Sequence, residues 1–272
     1  LKWNGEIGIA ADRPLNEVFN SRTGSIAELN LLLVALLKQA GIEAYPVVLR
    51  TVGLGKLNMG LPQVSQFDYL VAYTRYNDAD ILMDITDPCL QPGLLRISCL
   101  NGKGLKIHAY FEEWIDLEGS VVSNQNITMQ LELKNDSLTG TIIIDKDNYF
   151  SSEDCKMQKT GKELINLPPE FTILNISVEN SDSTYNEKII VNFEADALVN
   201  KGEVEISPIF LNAIKENPFT EKNRIYPVTL PFLTVFTWNF SIKFDSDHKA
   251  SEIPKSETIE FADKSFRLVY TA

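Results

Sequence analysis

A capped helix that runs directly into a strand is the feature that most constrains the fold of this chain. Apolar residues recur at helical spacing over 26–40, and Ser25 with Glu28 three residues later has the form of a capping box. Gly41 suits the left-handed position that ends a helix, and an apolar run over 42–49 follows it. The pattern therefore predicts a loop, a long buried helix, a tight stop and a strand.

Strand patterns follow this helix and dominate the second half of the chain. Residues 67–76 and 81–86 predict two strands, and the short polar side chains of 77–80 suit a hairpin turn between them. Apolar and polar residues then alternate with period two, first over 126–134, and turns separate many short strands. A weak helical pattern over 152–165 interrupts them.

These patterns predict an α+β fold class with two domains. We expect residues 1–112 to form a helix packed on an antiparallel sheet, and residues 113–272 to form an all-β, sandwich-like domain. The length of 272 residues also favours two domains over one.

Charge and composition exclude several classes of function. The chain carries 37 acidic and 25 basic residues, a net charge of −12 that repels phosphate backbones, so we expect no nucleic-acid partner. No apolar stretch reaches the roughly 20 residues that cross a bilayer, so the chain is not expected to span a membrane. Because glycine-rich phosphate loops and metal-ligand spacings of Cys and His are absent from the sequence, we expect no cofactor and no metal.

The amino terminus of the predicted helix is a place where a catalytic thiol would be activated, because unpaired N–H groups and the helix dipole stabilise a thiolate. Ile26 in the first turn has no nucleophilic atom, so covalent catalysis from this position is chemically impossible. Ser25 could act as a nucleophile only if a base removed its proton, and helix capping explains this serine without any chemistry.

The segment 24–28, Gly-Ser-Ile-Ala-Glu, resembles the nucleophile helix of the transglutaminase-like superfamily, in which Gly-x-Cys-x-Asp/Glu opens a helix that ends at Gly. In that superfamily a histidine on one strand and an aspartate on its neighbour complete a Cys-His-Asp triad. The resemblance places Ile26, Tyr69 and Asp84 in these three positions. It implies a partial transglutaminase-like, cysteine-protease-like domain with a degenerate triad and no catalytic residue.

Tyr69 therefore stands where the resemblance expects the general base. A phenol with an ordinary pKa of about 10 is a poor base at neutral pH. We expect Tyr69 to be a strand aromatic with a hydrogen-bonded hydroxyl. Asp84 is expected first to accept hydrogen bonds from backbone amides of the turn over 84–88, and the Tyr69 hydroxyl is its hypothesised alternative partner if the two strands are neighbours.

The likeness runs from Trp3-Asn4-Gly5 to about residue 108. Residues 217–219 and 224–228 are similar, more weakly, to the β-rich domain of unknown function that follows the transglutaminase-like domain in large Bacteroidetes proteins. Such proteins are usually exported, so the resemblance implies an extracytoplasmic location, in the periplasm or at the cell surface. Because the chain opens at Leu1 without Met, we also expect that the amino-terminal part of the first domain is missing.

Three cysteines and two histidines limit the remaining thiol chemistry. Cys89, Cys99 and Cys155 are too few for a disulfide framework, and their odd number leaves at least one unpaired. Cys89 and Cys99 could bridge, although a buried structural role is the default for each cysteine. His108 near the domain junction and His248 in a polar turn lack a nucleophile–base context.

The leading interpretation is a catalytically inactive module that binds or scaffolds a peptide, a glycan or an envelope protein. Its candidate cleft lies near Ser25, Tyr69 and Asp84. The alternative is a thiol-dependent transglutaminase or peptidase-type enzyme whose nucleophile has moved to one of the three cysteines. A structural spacer within a longer chain is a third possibility, and the sequence predicts no oligomeric state.

Overall fold

The structure is a computed structural model of the chain. It describes residues 1–61, 63–110, 112–118, 121–135, 137–157, 165, 167, 171–180, 186–196, 199–200, 203–204, 232–253, 255–261 and 267–271.

Strands make up most of the regular structure. The α-helices are α1 (Leu15–Ser21), α2 (Ile26–Gln39) and α3 (Asn148–Met157), and short 3₁₀ turns occupy Val52–Leu54, Val64–Gln66 and Ile97–Cys99. The strands before residue 120 are β1 (Lys2–Trp3), β2 (Thr23–Gly24), β3 (Ala44–Leu49), β4 (Tyr69–Tyr76), β5 (Ala79–Met83), β6 (Lys103–Lys106) and β7 (Glu113–Asp116). The later strands are β8 (Val122–Lys134), β9 (Ser137–Lys146), β10 (Phe171–Asn180), β11 (Glu187–Asp196), β12 (Val199–Asn200), β13 (Glu203–Val204), β14 (Leu233–Phe244), β15 (Glu257–Glu260) and β16 (Arg267–Tyr270).

The predicted α+β fold class is wrong, because the chain has a β-rich fold. Sixteen strands accompany three α-helices in the part of the chain that the structure describes, and the strands form several separate sheets. One strongly periodic helix dominates a local sequence pattern, whereas sheet pairing joins segments that are distant in sequence and leaves a weaker local signal. The predicted division at residues 112 and 113 stays a prediction.

The first five-stranded sheet has the strand order β5-β4-β3-β6-β7, and every neighbouring pair in it is antiparallel. Its β4–β5 hairpin turns at Asn77 and Asp78, which both have positive φ, as a two-residue turn of this kind requires. Helix α2 packs on one face of the sheet, where Ala27 contacts the cluster that contains Val48 and Leu70. The helix thus fixes its own amino terminus beside the start of β4.

The second five-stranded sheet has the order β10-β11-β9-β8-β14, in which only β14 is parallel to its neighbour. Alternate residues of β8 are buried from Ser123 to Leu133, as the period-two pattern predicts. Two-stranded ladders, β12–β13 and β15–β16, stand apart from this sheet. Within the ranges given above, the strands after residue 120 form this five-stranded sheet and two two-stranded ladders, and the sandwich-like packing stays a prediction.

A disulfide joins Cys89, in the loop after β5, to Cys155 on α3. The possible bridge between Cys89 and Cys99 is therefore not formed. Cys99 lies instead in a 3₁₀ turn with its side chain fully buried in the core of the first sheet. The weak helical pattern over 152–165 corresponds to α3, which begins at Asn148 and ends at Met157, and residues 158–164 of that pattern lie outside the described ranges.

Candidate functional site

The amino terminus of α2 is a structural cap. The Glu28 N–H donates to Ser25 Oγ over 3.2 Å, and the Ser25 N–H donates to Glu28 Oε2 over 3.0 Å, which completes the predicted capping box. The Ser25 side chain therefore caps the amino terminus of the helix. Ile26, the next residue, is fully buried in the core cluster that also contains Tyr69 and Cys99.

Glu28 anchors a second structural contact at the same helix end. Arg13 Nη2 lies 2.7 Å from Glu28 Oε2, and Arg13 Nε donates to Glu28 Oε1 over 3.1 Å. The hydrogen bond from this guanidinium lowers the pKa of the Glu28 carboxyl and more than offsets the opposing effect of burial. Glu28 thus stays ionised and helps to fix the loop that precedes α1.

Tyr69 and Asp84 form the hypothesised hydrogen bond. The Tyr69 hydroxyl donates to Asp84 Oδ2 over 2.6 Å, and both side chains are buried. Burial, followed by the charge of Asp84, raises the pKa of Tyr69 above its usual range. The phenol is therefore held in its protonated state and cannot serve as a general base at neutral pH.

The remaining acceptor positions of Asp84 are occupied as well. Asn30 Nδ2 donates to Oδ1 over 3.0 Å, and Arg96 Nε donates to Oδ2 over 3.2 Å. The Thr86 N–H and hydroxyl also donate to Oδ1, over 3.0 and 2.6 Å. In a catalytic triad the aspartate carboxylate orients a histidine. The Asp84 carboxylate instead accepts hydrogen bonds from these neighbouring side chains and from the Thr86 N–H on both of its oxygens. We call Asn30, Tyr69, Asp84, Thr86 and Arg96 the Asp84 network.

Sequence reasoning missed two members of the Asp84 network, Asn30 and Arg96. Asn30 interrupts the apolar face of α2 and is fully buried, and a polar residue inside an apolar helical run was a usable signal. Arg96 lies in a loop without periodicity, and no local pattern marks it. Its guanidinium lies over the Trp3 ring at 5.0 Å, a cation–π contact that links the network to β1.

Cys99, the free thiol of the chain, lies in the same core cluster as Ile26 and Tyr69. Burial, with a further contribution from the charge of Asp84, raises the pKa of Cys99 above its usual range. The contacts that the structure shows for the histidines are with other groups. His108 packs against aromatic rings, and His248 Nδ1 lies 2.6 Å from a carboxylate oxygen of Asp245.

The proposed cleft would have to form at side chains that are closed to solvent. Ser25, Tyr69 and Asp84 are only 7%, 3% and 5% exposed. A ligand could contact them only by displacing their neighbours. The arrangement can therefore support a helix end and a sheet, and its geometry offers no accessible reacting group.

Two surface cavities lie elsewhere on the first sheet. The apolar cavity has a volume of about 310 Å³ and lies on the α2 side of the sheet; its lining side chains are Ile9, Leu31, Pro46, Val48, Val64, Phe67, Leu70, Leu105 and Ile107. The polar pocket has a volume of about 210 Å³ and is lined by Glu43, Tyr45, Tyr73, Arg75, Lys106 and Glu113. Neither cavity includes a residue of the proposed cleft.

The described ranges contain neither a metal-binding cluster nor a membrane-spanning helix. No group of three or more His, Cys, Asp or Glu side chains there is arranged to hold a metal ion. No helix there is both long enough and apolar enough to cross a bilayer.

Comparison with known proteins adds a family match at the carboxy terminus. Residues 202–272 match the model of DUF3858, a domain of unknown function with a solved structure. No curated protein matches the chain significantly.

One solved structure shows a weak similarity, a "putative protease" from Parabacteroides distasonis ATCC 8503. It is 11% identical to this chain, with a TM-score of 0.33, and the match covers 68% of this chain and 40% of that one. The chain therefore spans well under half of that protein. A TM-score this low carries no argument about fold or activity.

Proposed function

We propose that this chain is a catalytically inactive relative of the transglutaminase-like thiol enzymes and acts as a binding or scaffolding module. The observation that carries the proposal is the saturation of Asp84 beside a buried Ile26. A thiol acyl transfer needs a nucleophile, a base and access for substrate. In this chain an isoleucine stands at the nucleophile position and a protonated phenol at the position of the base. The site is also closed to substrate.

The alternative enzyme with a relocated cysteine has less support. Cys89 and Cys155 are joined to each other, so neither presents a thiolate while the disulfide is intact. Cys99 is buried, and its raised pKa keeps the thiol protonated, whereas a reactive cysteine needs a lowered pKa and partial exposure.

The binding surface in this proposal lies outside the Asp84 network. The lining of the apolar cavity is made of hydrocarbon side chains, which match the apolar side chains of a peptide or an envelope protein. A hydroxyl-rich glycan would instead leave polar groups unsatisfied there. The polar pocket, with two tyrosines between carboxylates and cations, is the better match for a glycan or a charged peptide.

An extracytoplasmic location is part of the same proposal. The Cys89–Cys155 disulfide supports it, because disulfides persist in oxidising compartments and are rare in the reducing cytosol.

Turnover assays test the proposed lack of catalysis. Purified protein is assayed for transamidation, peptidase and amidase activity beside an active transglutaminase and an active cysteine peptidase. We expect no turnover above the protein-free background. Clear turnover that survives in Asp145→Ala, which changes an exposed acid on β9, but is lost in folded Asp84→Ala would defeat the proposal.

Binding assays test the other half of the proposal. A defined peptide library and an oligosaccharide array are probed with wild-type protein, Leu105→Asp in the apolar cavity and Tyr45→Ala in the polar pocket. We expect saturable binding to one class of ligand that only one of the two variants loses. An absence of saturable binding to both classes would favour the structural spacer instead.

A further inference from the structure

The contacts between the loop after β5 and the second sheet converge on α3. The Cys89–Cys155 disulfide crosses here between residues 66 positions apart in sequence. The Tyr149 hydroxyl donates to the Leu95 carbonyl oxygen over 3.0 Å. The Tyr149 side chain is buried in a small cluster with Leu90 and Leu94. Helix α3 therefore holds residues 87–94 and the Leu95 carbonyl that follows them. We call residues 87–94 the α3-bound loop.

The same helix is attached to the second sheet by different groups. The Tyr149 N–H donates to Ser123 Oγ over 3.2 Å, and Asn148 Nδ2 donates to the Val122 carbonyl oxygen over 2.9 Å. Further along α3, Asp154 forms a buried ion pair with Lys146 of β9. These contacts anchor α3 to the second sheet independently of the disulfide.

The disulfide is the covalent part of the link to the α3-bound loop, and solvent can reach it. Cys155 is exposed and Cys89 is half-buried. Without the disulfide, residues 87–94 would depend on the small apolar cluster of Leu90 and Leu94 and on a few hydrogen bonds, including one from Gln91 to Asn148, whereas Leu95 and Cys99 beyond them stay in the core of the first sheet. A segment that is held by few contacts opens at a low free-energy cost, whereas the centre of a sheet opens only with global unfolding.

We propose that the Cys89–Cys155 disulfide is a redox-operated latch. In the oxidised protein, α3 fixes the α3-bound loop against the second sheet, and reduction releases that loop while both sheets stay folded.

Release of the latch would reach the Asp84 network through the chain itself. Leu95, whose carbonyl accepts the Tyr149 hydroxyl, directly precedes Arg96. Arg96 in turn donates to Asp84 and to the Thr86 carbonyl. Release of the loop would therefore weaken the contacts that Arg96 makes beside the Tyr69–Asp84 hydrogen bond.

The chemical step is thiol–disulfide exchange with a dithiol reductant, either a protein of the Cys-x-x-Cys class or dithiothreitol. A thiolate of the reductant attacks one sulfur of the bridge, the S–S bond breaks, and a mixed disulfide forms. The second thiolate of the reductant resolves that mixed disulfide. Cys89 and Cys155 gain two electrons and two protons as thiols, and the reductant leaves as its own disulfide.

Amide hydrogen exchange read by mass spectrometry tests the latch. The samples are oxidised wild type, wild type reduced by dithiothreitol and blocked with iodoacetamide, and the double variant Cys89→Ser/Cys155→Ser. We expect exchange to rise at least about tenfold within the α3-bound loop in the last two samples. The centres of β3, β4, β8 and β9 should keep the protection that they have in the oxidised protein.

The control variant is Cys99→Ser, which keeps the bridge and should show the same redox response as wild type. Unchanged exchange in the α3-bound loop after reduction would overturn the proposal. A uniform rise across both sheets would also overturn it, because that result indicates a general loss of stability rather than a local release. If the double variant fails to fold, the reduced and blocked wild type decides between these outcomes.

Discussion

Two buried ion pairs, one in each half of the molecule, have different surroundings. Asp84 and Arg96 in the first half belong to a network in which both carboxylate oxygens accept several hydrogen bonds. Lys146 of β9 and Asp154 of α3 form a pair whose cation is more deeply buried, with a side chain 9% exposed against 24% for Arg96. Gln125, the cross-strand neighbour of Lys146, has a buried side-chain N–H₂ group without a hydrogen-bond partner.

The difference shows what a buried charge needs if it is to hold a fold in place. Removing an ion from water costs several kcal/mol, and a single opposite charge repays this only when other hydrogen bonds satisfy the remaining atoms. Asp84 meets that requirement through Asn30, Tyr69 and Thr86. We therefore expect the first pair to be essential for stability. Buried ion pairs can often be replaced as a whole by apolar side chains of similar volume, and we expect this of Lys146 and Asp154.

The largest effect is expected from Asp84→Ala. Its loss leaves Tyr69, Asn30 and Arg96 as buried donors without their acceptor, so the free energy of unfolding should fall by about 3–5 kcal/mol. Urea denaturation measures this loss. Asp145→Ala, which removes an exposed acid of β9, is the control and should cost less than about 1 kcal/mol. Equal losses of stability in the two variants would contradict the claim that the Asp84 network is essential for stability.

The second pair should respond differently to single and double changes. Lys146→Met alone leaves Asp154 as a buried charge without its cation and should cost about 3 kcal/mol. The double variant Lys146→Met/Asp154→Leu removes both charges, so it should recover most of that loss in the same urea titration. A double variant whose cost equals the sum of the two single costs would show that this pair stabilises the fold as the first one does.

A third ion pair, Arg13–Glu28, differs from the first two because it lies at a partly exposed site. Because the pKa of Glu28 is lower in the folded protein, its contribution is present at neutral pH and is lost as the pH falls through the folded pKa. Thermal unfolding of wild type and Arg13→Met should therefore differ at pH 7 and converge in strong acid. A difference that stays constant down to acid pH would contradict the assigned role of Glu28.

Ser25→Ala should have the smallest effect of the four. It removes one side of the capping box and should lower the free energy of unfolding by about 1 kcal/mol. Ser25→Asn keeps a capping acceptor and is expected to retain nearly all of the stability. If both variants lost several kcal/mol, Ser25 would have a role beyond the cap.

The sequence predicted the parts of this structure that local patterns encode. The Ser25–Glu28 cap, the end of α2 before Gly41 and the period-two burial of β8 all follow from spacings of a few residues. The Tyr69–Asp84 hydrogen bond was accessible because a resemblance supplied the neighbouring strands. In contrast, the β-rich fold class was missed because one periodic helix gives a stronger local sequence pattern than many short strands do.

Long-range pairings could not be predicted in this way. Asn30 and Asp84 lie 54 residues apart, and Cys89 and Cys155 lie 66 apart, so no local spacing distinguishes either pair from its competitors. Three cysteines allow three single bridges, and only the folded chain selects one. The burial of Tyr69 likewise depends on core residues that are distant in sequence, such as Ile26, Leu95 and Cys99.

Native labelling of Cys99 tests most directly the central claim that the chain presents no reactive nucleophile at the degenerate site. Oxidised protein is treated with iodoacetamide at neutral pH, and modification of the Cys99 peptide is followed by mass spectrometry. Because burial raises the pKa of this thiol, we expect a rate below about one hundredth of that of free cysteine. Labelling of Cys99 faster than free cysteine would contradict the account.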